Sequence, residues 1–514
     1  MSKMGMTVAS HVAHNAARFP GKAALIQQDR TLSYAELDAR SNRFANALIA
    51  RGVKPGDRVA LLMGSCIEWV ILYVAIGKAG CTAVPFNYRL TAREIATVVE
   101  DSQSRLLFLD ENLLHLTPPE GIVPEIVVTD AAGLAGFVAD AADTPTGIEA
   151  KNSDIQAILY TGGTTGRSKG AMLSHENVFW NSIHEALDTG MHEDDNTLLA
   201  TPLHHAAALN CWLLPHLYLG ATATILPKYS TEEMIRTIER HRCTNAFTPP
   251  SMARDIFSHP LAKTADLSSF RRWYVGGASL SRKDREAMHA LIPGVEIFFQ
   301  YGLTEAGVIV TVLKEKDYEK APGSIGRAFV NFEVRILRDD LSQADPDEVG
   351  EIAVRGPSVM QGYFNNPEAT EAVFHEGWLR TGDMGAMDAA GFVRFHDRLK
   401  DMVKTGGLNV YSQEVEQALL RHPQVREAAI IGLPSDAWGE EVTAVIVLHD
   451  GASVGAADLV AFAKEELAGY KVPKQVHLIP YERMPINYSG KIIKRELRDQ
   501  ILKAVENDKG RKAS

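Results

Sequence analysis

The residues of this chain best suited to chemistry lie in the segment 160–170, which reads YTGGTTGRSKG. Its glycines let backbone N–H groups turn toward an anion, its threonines add hydroxyl donors, and its lysine adds a positive charge. The apolar residues 157–159 before it predict a buried strand, and Ser174 is placed to cap a helix after it. The residues predicted to bind a polyphosphate are Thr161, Gly162, Gly163, Thr164, Thr165, Gly166 and Lys169.

Three other interpretations of this segment are weaker. A P-loop requires Ser or Thr after its lysine, but Gly170 follows Lys169. The pattern G-x-S-x-G of a hydrolase nucleophile elbow is present at 166–170, yet Ser168 lies well past the strand rather than on a sharp turn directly after it. A solvated glycine-rich linker is the remaining alternative if the segment is taken alone.

Length and composition are those of a globular protein of about three domain-sized units. The chain has 514 residues, of which 46% are hydrophobic and 23% charged, which argues against wholesale disorder. The net charge of −11 argues against non-specific nucleic-acid binding.

Targeting features and cysteines favour a cytoplasmic protein. The longest apolar run, residues 69–76, is too short to span a bilayer, and residues 1–10 lack the apolar core of a signal peptide. The four cysteines have no Cys-x-x-Cys spacing and fall in apolar segments, so they predict buried thiols in a reducing compartment.

Strand-like and helix-like periodicities alternate along the chain and predict an α/β fold. Ser33 with Glu36, and Thr91 with Glu94, form capping boxes that begin helices. Buried strands are expected near residues 58–63, 105–109, 197–200, 221–226 and 274–275. Two doubly wound sheets are therefore predicted.

The second half of the chain changes character twice. From about residue 323 to 395 the period shortens toward alternation, which predicts a smaller antiparallel or barrel-like unit. A charged, glycine-containing connector at 397–409 then precedes a compact segment with helices near 412–421 and 457–468. A small α+β domain is expected there.

The chain resembles the adenylate-forming superfamily, which contains acyl-CoA synthetases, luciferases and peptide-synthetase adenylation domains. Besides the glycine-rich segment, the resemblance is carried by the motifs GGA at 276–278, YGLTE at 301–305, RTGD at 380–383, the connector 398–407 and SGK at 489–491. Each motif is modest, but their order and spacing over most of the chain are specific. One departure is Gly163, where many relatives carry serine, and it removes one potential phosphate donor.

The resemblance implies two domains. Residues 1–397 would form two doubly wound sheets plus a distorted β-barrel, and residues 398–514 a small mobile α+β domain with a hinge near Lys400. Rotation about that hinge would withdraw Lys491 after the first half-reaction and bring Lys404, Gly406 and Gly407 to the site for the second.

The resemblance also implies a reaction. ATP would convert a carboxylic acid to an acyl-adenylate with release of pyrophosphate, and the thiol of coenzyme A would then displace AMP. Glu305 and Thr164 would hold Mg²⁺, and Lys491 would bridge carboxylate and α-phosphate oxygens. The implied catalytic residues are Lys491, Glu305, Thr304, His205 and Lys169. Without the resemblance, Glu305 would be a helix cap and Lys491 a solvated cation beside Lys494 and Arg495.

Nucleotide recognition is divided among several motifs by the same resemblance. Tyr301 would stack on adenine, and Asp383 with Arg398 would bind the ribose hydroxyls. The implied cofactor-binding residues outside the glycine-rich segment are Gly277, Ala278, Gln300, Tyr301, Gly302, Asp383, Arg398, Lys404, Gly406 and Gly407. Taken alone, Tyr301 would be a core aromatic and Asp383 a turn residue.

The pair His204 and His205 matches no common zinc spacing. By resemblance His205 lies at the acyl pocket, whereas a structural histidine is the alternative. The candidate acyl-lining residues are His205, Asn210, Trp212, Phe247, Gly277 and Gly302. This mainly apolar set favours a medium-size fatty or aromatic acid. No motif places a cation for a second carboxylate, with Arg254 the open question, which disfavours dicarboxylic acids.

Other functions and partners stay open at this point. The acceptor could be a carrier-protein thiol, although the chain ends too soon after Arg498 to contain a carrier domain of its own. A luciferase-like oxidation is not demanded by any feature. A nucleotide-binding regulator without turnover is disfavoured by the joint presence of Lys169, Glu305, Asp383 and Lys491. A homodimer and a lysine acetyltransferase that modifies Lys491 are further candidate partners.

Overall fold

The computed structural model describes residues 5–161, 168–278, 280–435, 437–486 and 492–513. The α-helices, α1 to α14 in chain order, are Val8–Arg18, Tyr34–Ala50, Ile67–Lys78, Ala92–Ser102, Ala131–Phe137, His175–Thr189, Leu214–Leu219, Thr231–His241, Pro250–Ser258, Arg282–Leu291, Pro367–Val373, Ser412–Leu419, Ala456–Glu466 and Lys494–Ala513. Short 3₁₀-helices lie at Glu111–Leu116, Pro260–Lys263, Thr304–Ala306, Glu315–Asp317 and Tyr481–Arg483, and a π-helix lies at Ala207–Leu213.

Strands alternate with these helices along the chain. Strands β1 to β13 are Ala23–Gln27, Arg30–Ser33, Arg58–Leu62, Thr82–Pro85, Leu106–Leu109, Glu125–Val128, Ile155–Thr161, Lys169–Ser174, Asn196–Leu199, Thr222–Ile225, Asn245–Thr248, Arg272–Gly276 and Glu296–Leu303. Strands β14 to β26 are Val308–Leu313, Arg327–Ala328, Glu333–Leu337, Gly350–Arg355, Gly362–Tyr363, Phe374–His375, Trp378–Met387, Val393–Arg398, Val403–Thr405, Leu408–Val410, Val425–Ser435, Gly439–Leu448 and Gln475–Leu478.

Two large sheets dominate the first part of the chain. One has the strand order β15-β14-β13-β12-β11-β9-β10-β1-β2, parallel from β13 to β1 and antiparallel at both edges. The other has the order β18-β8-β7-β4-β3-β5-β6, parallel from β7 to β6 and antiparallel at β8 and β18. Parallel strands with helical crossovers are typical of doubly wound α/β proteins.

The chain divides into two compact units. The first comprises residues 1–334 and 354–379, and the second residues 335–353 and 380–514. Strands β16, β17 and β20 each have residues in both units.

The second unit is built around a sheet of order β23-β22-β25-β24, with β26 parallel to β25. Side chains of β24 and β25 alternate between its two faces, as the pleat requires. Ala428 and Ile430 pack with Val415 and Leu419 of α12. Ala429, Ile431 and Leu433 pack with Leu497 and Ile501 of α14. Helices α12 and α14 therefore cover different faces of this sheet.

Local signals in the sequence account for where several helices begin. In α2, Glu36 N donates to Ser33 Oγ at 3.3 Å, and Ser33 N donates to Glu36 Oε2 at 2.8 Å. The same reciprocal pair links Thr91 and Glu94 at α4. Each box satisfies two of the N–H groups that a helix start leaves without partners.

Helix α3 contains the longest apolar run, and all of its residues except Glu68 are buried. In the part of the chain that the structure describes, no helix combines the length and apolar character needed to cross a membrane.

The predicted α/β fold is confirmed. Helices α2 and α4 begin where the capping boxes predict, and the predicted strands before residue 280 lie within three residues of the observed ends. In the segment where alternation predicted antiparallel structure, β19 pairs with β20 and β20 with β21 in antiparallel fashion. The boundary predicted at residue 397 stays a prediction.

Candidate active site

Strands β7 and β8 frame the glycine-rich segment. They pair antiparallel, with Thr161 opposite Lys169 and Tyr160 opposite Gly170, so Thr161 and Lys169 stand side by side at the paired ends of the two strands. Ser174 caps α6 by accepting from Asn177 N at 3.1 Å, as predicted. The predicted phosphate-binding residues Gly162, Gly163, Thr164, Thr165 and Gly166 lie outside the described residues.

Glu305 lies beside the end of β7. It belongs to the 3₁₀-helix that follows β13, 144 residues away from Thr161 along the chain. Its Oε1 accepts from Thr161 Oγ1 at 3.3 Å and from Tyr363 OH at 3.0 Å. Lys169 Nζ lies 5.1 Å from the centroid of the Tyr363 ring. The fold therefore brings the predicted Mg²⁺ ligand Glu305 next to two predicted phosphate-binding residues.

Tyr363 is a member of this cluster that the sequence analysis did not identify. Gly362 before it has φ +137°, and a Cβ there would lie 2.8 Å from Thr370 Cγ2, so a larger residue is excluded. Burial raises the pKa of the Tyr363 phenol, and the carboxylate of Glu305 raises it further. Tyr363 therefore stays protonated and donates to Glu305. The glycine and the two asparagines of the segment 362–366 are typical of a turn. No local pattern, however, indicates that Tyr363 faces Glu305.

The backbone around Glu305 leaves no space for a side chain at Gly302. A Cβ at this position would lie 1.6 Å from Val308 O. The register of β13 against β14 shifts between Tyr301 and Gly302, which forms a bulge at the end of the strand. Glycine at 302 is thus required by the sharp turn that presents Thr304 and Glu305.

The predicted adenine-binding residues lie together at the carboxyl ends of β12 and β13. These strands are parallel, with Gly276 opposite Gln300, so the residues that follow them emerge side by side. Gly277, Ala278 and Gly302 are exposed and Tyr301 is half-buried. Ligands of open α/β sheets bind at such strand ends.

Gln300 differs from its neighbours because its side chain points into the interior. It is 2% exposed, and its Nε2 donates to Glu185 Oε1 at 2.5 Å. Any contribution of Gln300 to nucleotide binding must therefore come from its backbone. Glu185 is fully buried on α6, and its Oε2 has no hydrogen-bond partner among the described residues. Burial raises the pKa of the Glu185 carboxyl to about 8.

The raised pKa of Glu185 makes stability pH-dependent. The folded protein keeps a proton that the unfolded chain loses above pH ~4.5, so the free energy of unfolding should fall as the pH rises toward 8, by up to about 1.4 kcal/mol per pH unit. Glu185→Gln should remove this fall, and its stability relative to wild type should increase from pH 5.5 to 7.5. Denaturant unfolding at three pH values measures the difference. Glu176→Gln, an exposed glutamate on the same helix, serves as the control and should parallel wild type.

The predicted acyl-lining residues lie on a π-helix and on β11. His205 lies two residues before the start of the π-helix, and Asn210 and Trp212 within it are buried. The ring of Trp212 stacks on that of Phe247 with centroids 4.3 Å apart. Phe247 in turn lies against Gly276, where a Cβ would meet its Cε2 at 3.3 Å. An aromatic pair therefore adjoins the strand end where Gly277 begins.

Asn210 also links the π-helix to the segment that carries Glu305. Its Nδ2 donates to Gly307 O at 3.2 Å, directly after the 3₁₀-helix that carries Glu305. Asn181 Nδ2 donates to Asn210 O at 2.8 Å and braces the π-helix. π-Helical turns are rare and occur frequently at functional sites.

His204 is buried and packs edge-to-face on Tyr88, with ring centroids 4.9 Å apart. Burial, together with the nearby charges of His205 and Arg89, lowers the pKa of His204 to about 3, so the ring is neutral. Within the described ranges, no group of three or more His, Cys, Asp or Glu residues could hold a metal ion.

In the second unit, the predicted ribose-binding residues pair with each other. Asp383 on β20 is opposite Arg398 on β21, and Arg398 Nε lies 3.6 Å from Asp383 Oδ1. Asp383 is buried, whereas the Arg398 side chain is 44% exposed. Lys400, the predicted hinge residue, is exposed two residues further on.

The predicted pantetheine path is a tight hairpin between β22 and β23. Gly406 and Gly407 have φ values of +57° and +78°, as the two-residue hairpin turn requires. A Cβ at Gly406 would lie 2.9 Å from Trp438 Cε3. Lys404 is exposed, and its N–H donates to Glu440 Oε2 at 3.1 Å. Lys491 lies outside the described residues.

Comparison with known proteins matches both parts of the chain to one family. The AMP-binding enzyme family matches residues 12–364, and the AMP-binding enzyme C-terminal domain matches residues 414–491. A feruloyl-CoA synthase of Amycolatopsis sp is 38% identical over 484 residues, covering 93% of this chain and 96% of the relative. A long-chain-fatty-acid–CoA ligase of Mycobacterium tuberculosis is 34% identical, covering 92% and 93%.

Solved structures agree with this assignment. The ATP-bound crystal structure of MatB from Rhodopseudomonas palustris has a TM-score of 0.89 and 30% identity, covering 97% of this chain and 99% of its own. The o-succinylbenzoate coenzyme A synthetase of Bacillus subtilis with ATP and magnesium has a TM-score of 0.85 and 32% identity, covering 95% and 99%. The chain therefore belongs to the AMP-binding enzyme family.

Proposed function

We propose that this protein is an ATP-dependent acid–thiol ligase of the AMP-forming class. The carboxylate oxygen of an acid attacks the α-phosphorus of ATP, pyrophosphate leaves, and the thiolate of coenzyme A then attacks the acyl carbon and displaces AMP. The observation that carries the proposal is the convergence of Thr161, Lys169 and Glu305 from segments far apart in sequence. A hydroxyl donor and an ammonium group suit the binding of a polyphosphate, and a carboxylate beside them suits the binding of its counter-cation.

The residues of the first unit suit the first half-reaction. Lys169 and the hydroxyl of Thr161, which flank the glycine-rich segment, would bind the departing phosphates. The Glu305 carboxylate and nearby hydroxyls are the oxygen donors that Mg²⁺ prefers, so the residues present fit this ion, with Thr164 as the second proposed ligand. Mg²⁺ supplies charge neutralisation on the phosphate oxygens. Tyr363 would hold Glu305 in one orientation.

The remaining roles are proposed from the sequence motifs. Lys491 would bridge the carboxylate and the α-phosphate, and His205 would lie near the acyl carboxylate. Asp383 and Arg398 would bind the ribose. The hairpin with Lys404, Gly406 and Gly407 would admit the pantetheine arm. The domain division at residue 397 and the hinge at Lys400 belong to the same proposal, because one site must serve two reactions.

A medium-size fatty or aromatic monocarboxylic acid is the proposed substrate. The stacked pair Trp212 and Phe247 supports an apolar, flat acyl site. Arg254, the cation considered for a second carboxylate, is engaged by Asp284, with Nη1 to Oδ2 at 3.1 Å. Its charge is therefore already compensated, which disfavours a dicarboxylic acid. Relatives named for ferulate, indoleacetate and long-chain fatty acids fit this class.

A panel of acids tests the proposal. Purified protein, Mg²⁺, ATP and coenzyme A are incubated with ferulate, indoleacetate, 2-succinylbenzoate, decanoate and palmitate, and AMP release is measured with and without coenzyme A. We expect AMP release that requires both coenzyme A and a monocarboxylic acid, with 2-succinylbenzoate the poorest. Adenylate formation that coenzyme A cannot discharge would favour a carrier-protein thiol as acceptor. Nucleotide binding without AMP release from any acid would favour a regulator.

The cell location, the modification of Lys491 and the oligomeric state are proposed from fewer observations. The four cysteines Cys66, Cys81, Cys211 and Cys243 are all free thiols, which supports a reducing compartment such as the cytoplasm. An acetyltransferase acting on Lys491 would remove the charge that adenylation uses. A homodimer remains part of the proposal, to be tested by light scattering.

A further inference from the structure

Lys494 is a charged residue in an environment that a lysine rarely occupies. It is the first residue of α14, where the helix dipole is positive and a cation is unfavourable. Its side chain is nevertheless only 16% exposed. Burying a charge at the unfavourable end of a helix is costly unless close partners compensate it.

Those partners are present within the second unit. Lys494 Nζ lies 2.7 Å from Glu416 Oε1 and donates to Ser412 Oγ, both on α12. Glu416 Oε1 also accepts from Ile430 N on β24 at 2.8 Å, so a second contact, independent of the lysine, holds the carboxylate in place. Burial lowers the pKa of Lys494, but the carboxylates of Glu416 and Asp397 more than offset this and leave the pKa raised. The ammonium group therefore stays charged.

The ion pair joins elements that are otherwise separated by the sheet. Helix α12 packs on one face of the sheet through Val415 and Leu419, and α14 packs on the other face through Leu497 and Ile501. The contact of Lys494 with Glu416 thus adds a direct link between the start of α14 and the helix on the other face.

The anchored point lies directly after the segment that contains Lys491. Ile486 and Ile492 form an antiparallel bridge, and Ile493 N donates to Pro485 O at 2.7 Å. Ile486 and Ile492, the described residues on either side of 487–491, are therefore paired and also pack against the apolar core under α14, and Lys494 adds an ion pair to α12 two residues further on.

We propose that Lys494 is a positioning residue for adenylation, which through its ion pair with Glu416 fixes the base of the segment that carries Lys491. The inference rests on the proposed function of Lys491. Lys494 itself touches no reacting atom in this proposal. Its loss should misplace Lys491 and slow acyl-adenylate formation, while transfer to coenzyme A, in which Lys491 has no proposed role, should continue.

The test compares the two half-reactions in Lys494→Met and Glu416→Gln. Adenylation is followed by pyrophosphate–ATP exchange with the best acid of the panel, and transfer by the reaction of synthetic acyl-adenylate with coenzyme A. We expect kcat for adenylation to fall about 10- to 100-fold, as small misplacements of a catalytic group do, with KM for ATP and the transfer rate within about twofold of wild type. Arg421→Met removes an exposed ion pair with Glu466 just after α12 and should leave both half-reactions unchanged.

A double variant separates positioning from folding. Lys494→Met alone leaves Glu416 buried without its partner, which could unfold the second unit, whereas Lys494→Met with Glu416→Met leaves no uncompensated charge. We expect the double variant to be folded by circular dichroism and still selectively slow in adenylation. Wild-type adenylation in the double variant, equal losses in both half-reactions, or no loss in Lys494→Met would each overturn the proposal. Absence of AMP release by the wild type would instead refute the proposed function itself.

Discussion

Glu305→Gln should lower the rate of acyl-adenylate formation by a factor on the order of 10² to 10³. Glutamine keeps the size of the side chain and can still accept from Thr161 and Tyr363 through its carbonyl oxygen, so the fold should persist. It carries no negative charge, however, and is a poor ligand for Mg²⁺. The loss should appear in pyrophosphate–ATP exchange, with a higher Mg²⁺ concentration needed for half-maximal rate.

Two further variants calibrate this expectation. Tyr363→Phe removes one hydrogen-bond donor from Glu305 while leaving the charge, so we expect a smaller loss of about tenfold. Glu333→Gln removes an exposed carboxylate paired with Arg355 in the same unit and should stay within about twofold of wild type. If Glu305→Gln exchanged pyrophosphate at the wild-type rate and Mg²⁺ requirement, the assignment of Glu305 as the metal ligand would be wrong.

The features that the sequence predicted well depend on short-range patterns or on motifs. Capping boxes such as Ser33 with Glu36 are complete within four residues, and they begin helices where predicted. The prediction of the superfamily, which rested on motifs such as YGLTE at 301–305, is confirmed by the match of residues 12–364 and 414–491 to the AMP-binding enzyme family. Site roles assigned from those motifs stay predictions, although the fold brings Thr161, Lys169 and Glu305 together.

Contacts between distant segments could not be predicted. Tyr363 reaches Glu305 across 58 residues, and no local pattern encodes that approach. Gln300 lies within β13, yet only the position of Glu185 on α6 explains why its polar side chain faces inward. No pattern in the sequence around Lys494 indicates that it is buried. Its burial depends on Glu416, a partner 78 residues earlier in the chain.

Lys491→Ala should lower adenylation by a factor on the order of 10² or more. In the proposed mechanism its ammonium group neutralises charge that develops between the carboxylate and the α-phosphate, and alanine offers no replacement donor. The transfer of a supplied acyl-adenylate to coenzyme A does not use this charge, so that half-reaction should continue at a rate within about threefold of wild type. Rapid quench of each half-reaction separates the two effects.

Lys503→Ala provides the matched control, because Lys503 is an exposed lysine on α14 of the same unit and has no proposed role. It should leave both half-reactions unchanged, which would exclude a general effect of removing positive charge near the end of the chain. Lys491→Gln, which resembles acetylated lysine, should reproduce the selective loss of Lys491→Ala. Equal loss of adenylation and transfer in Lys491→Ala would contradict the division of labour, since a residue specific to the first half-reaction cannot slow the second.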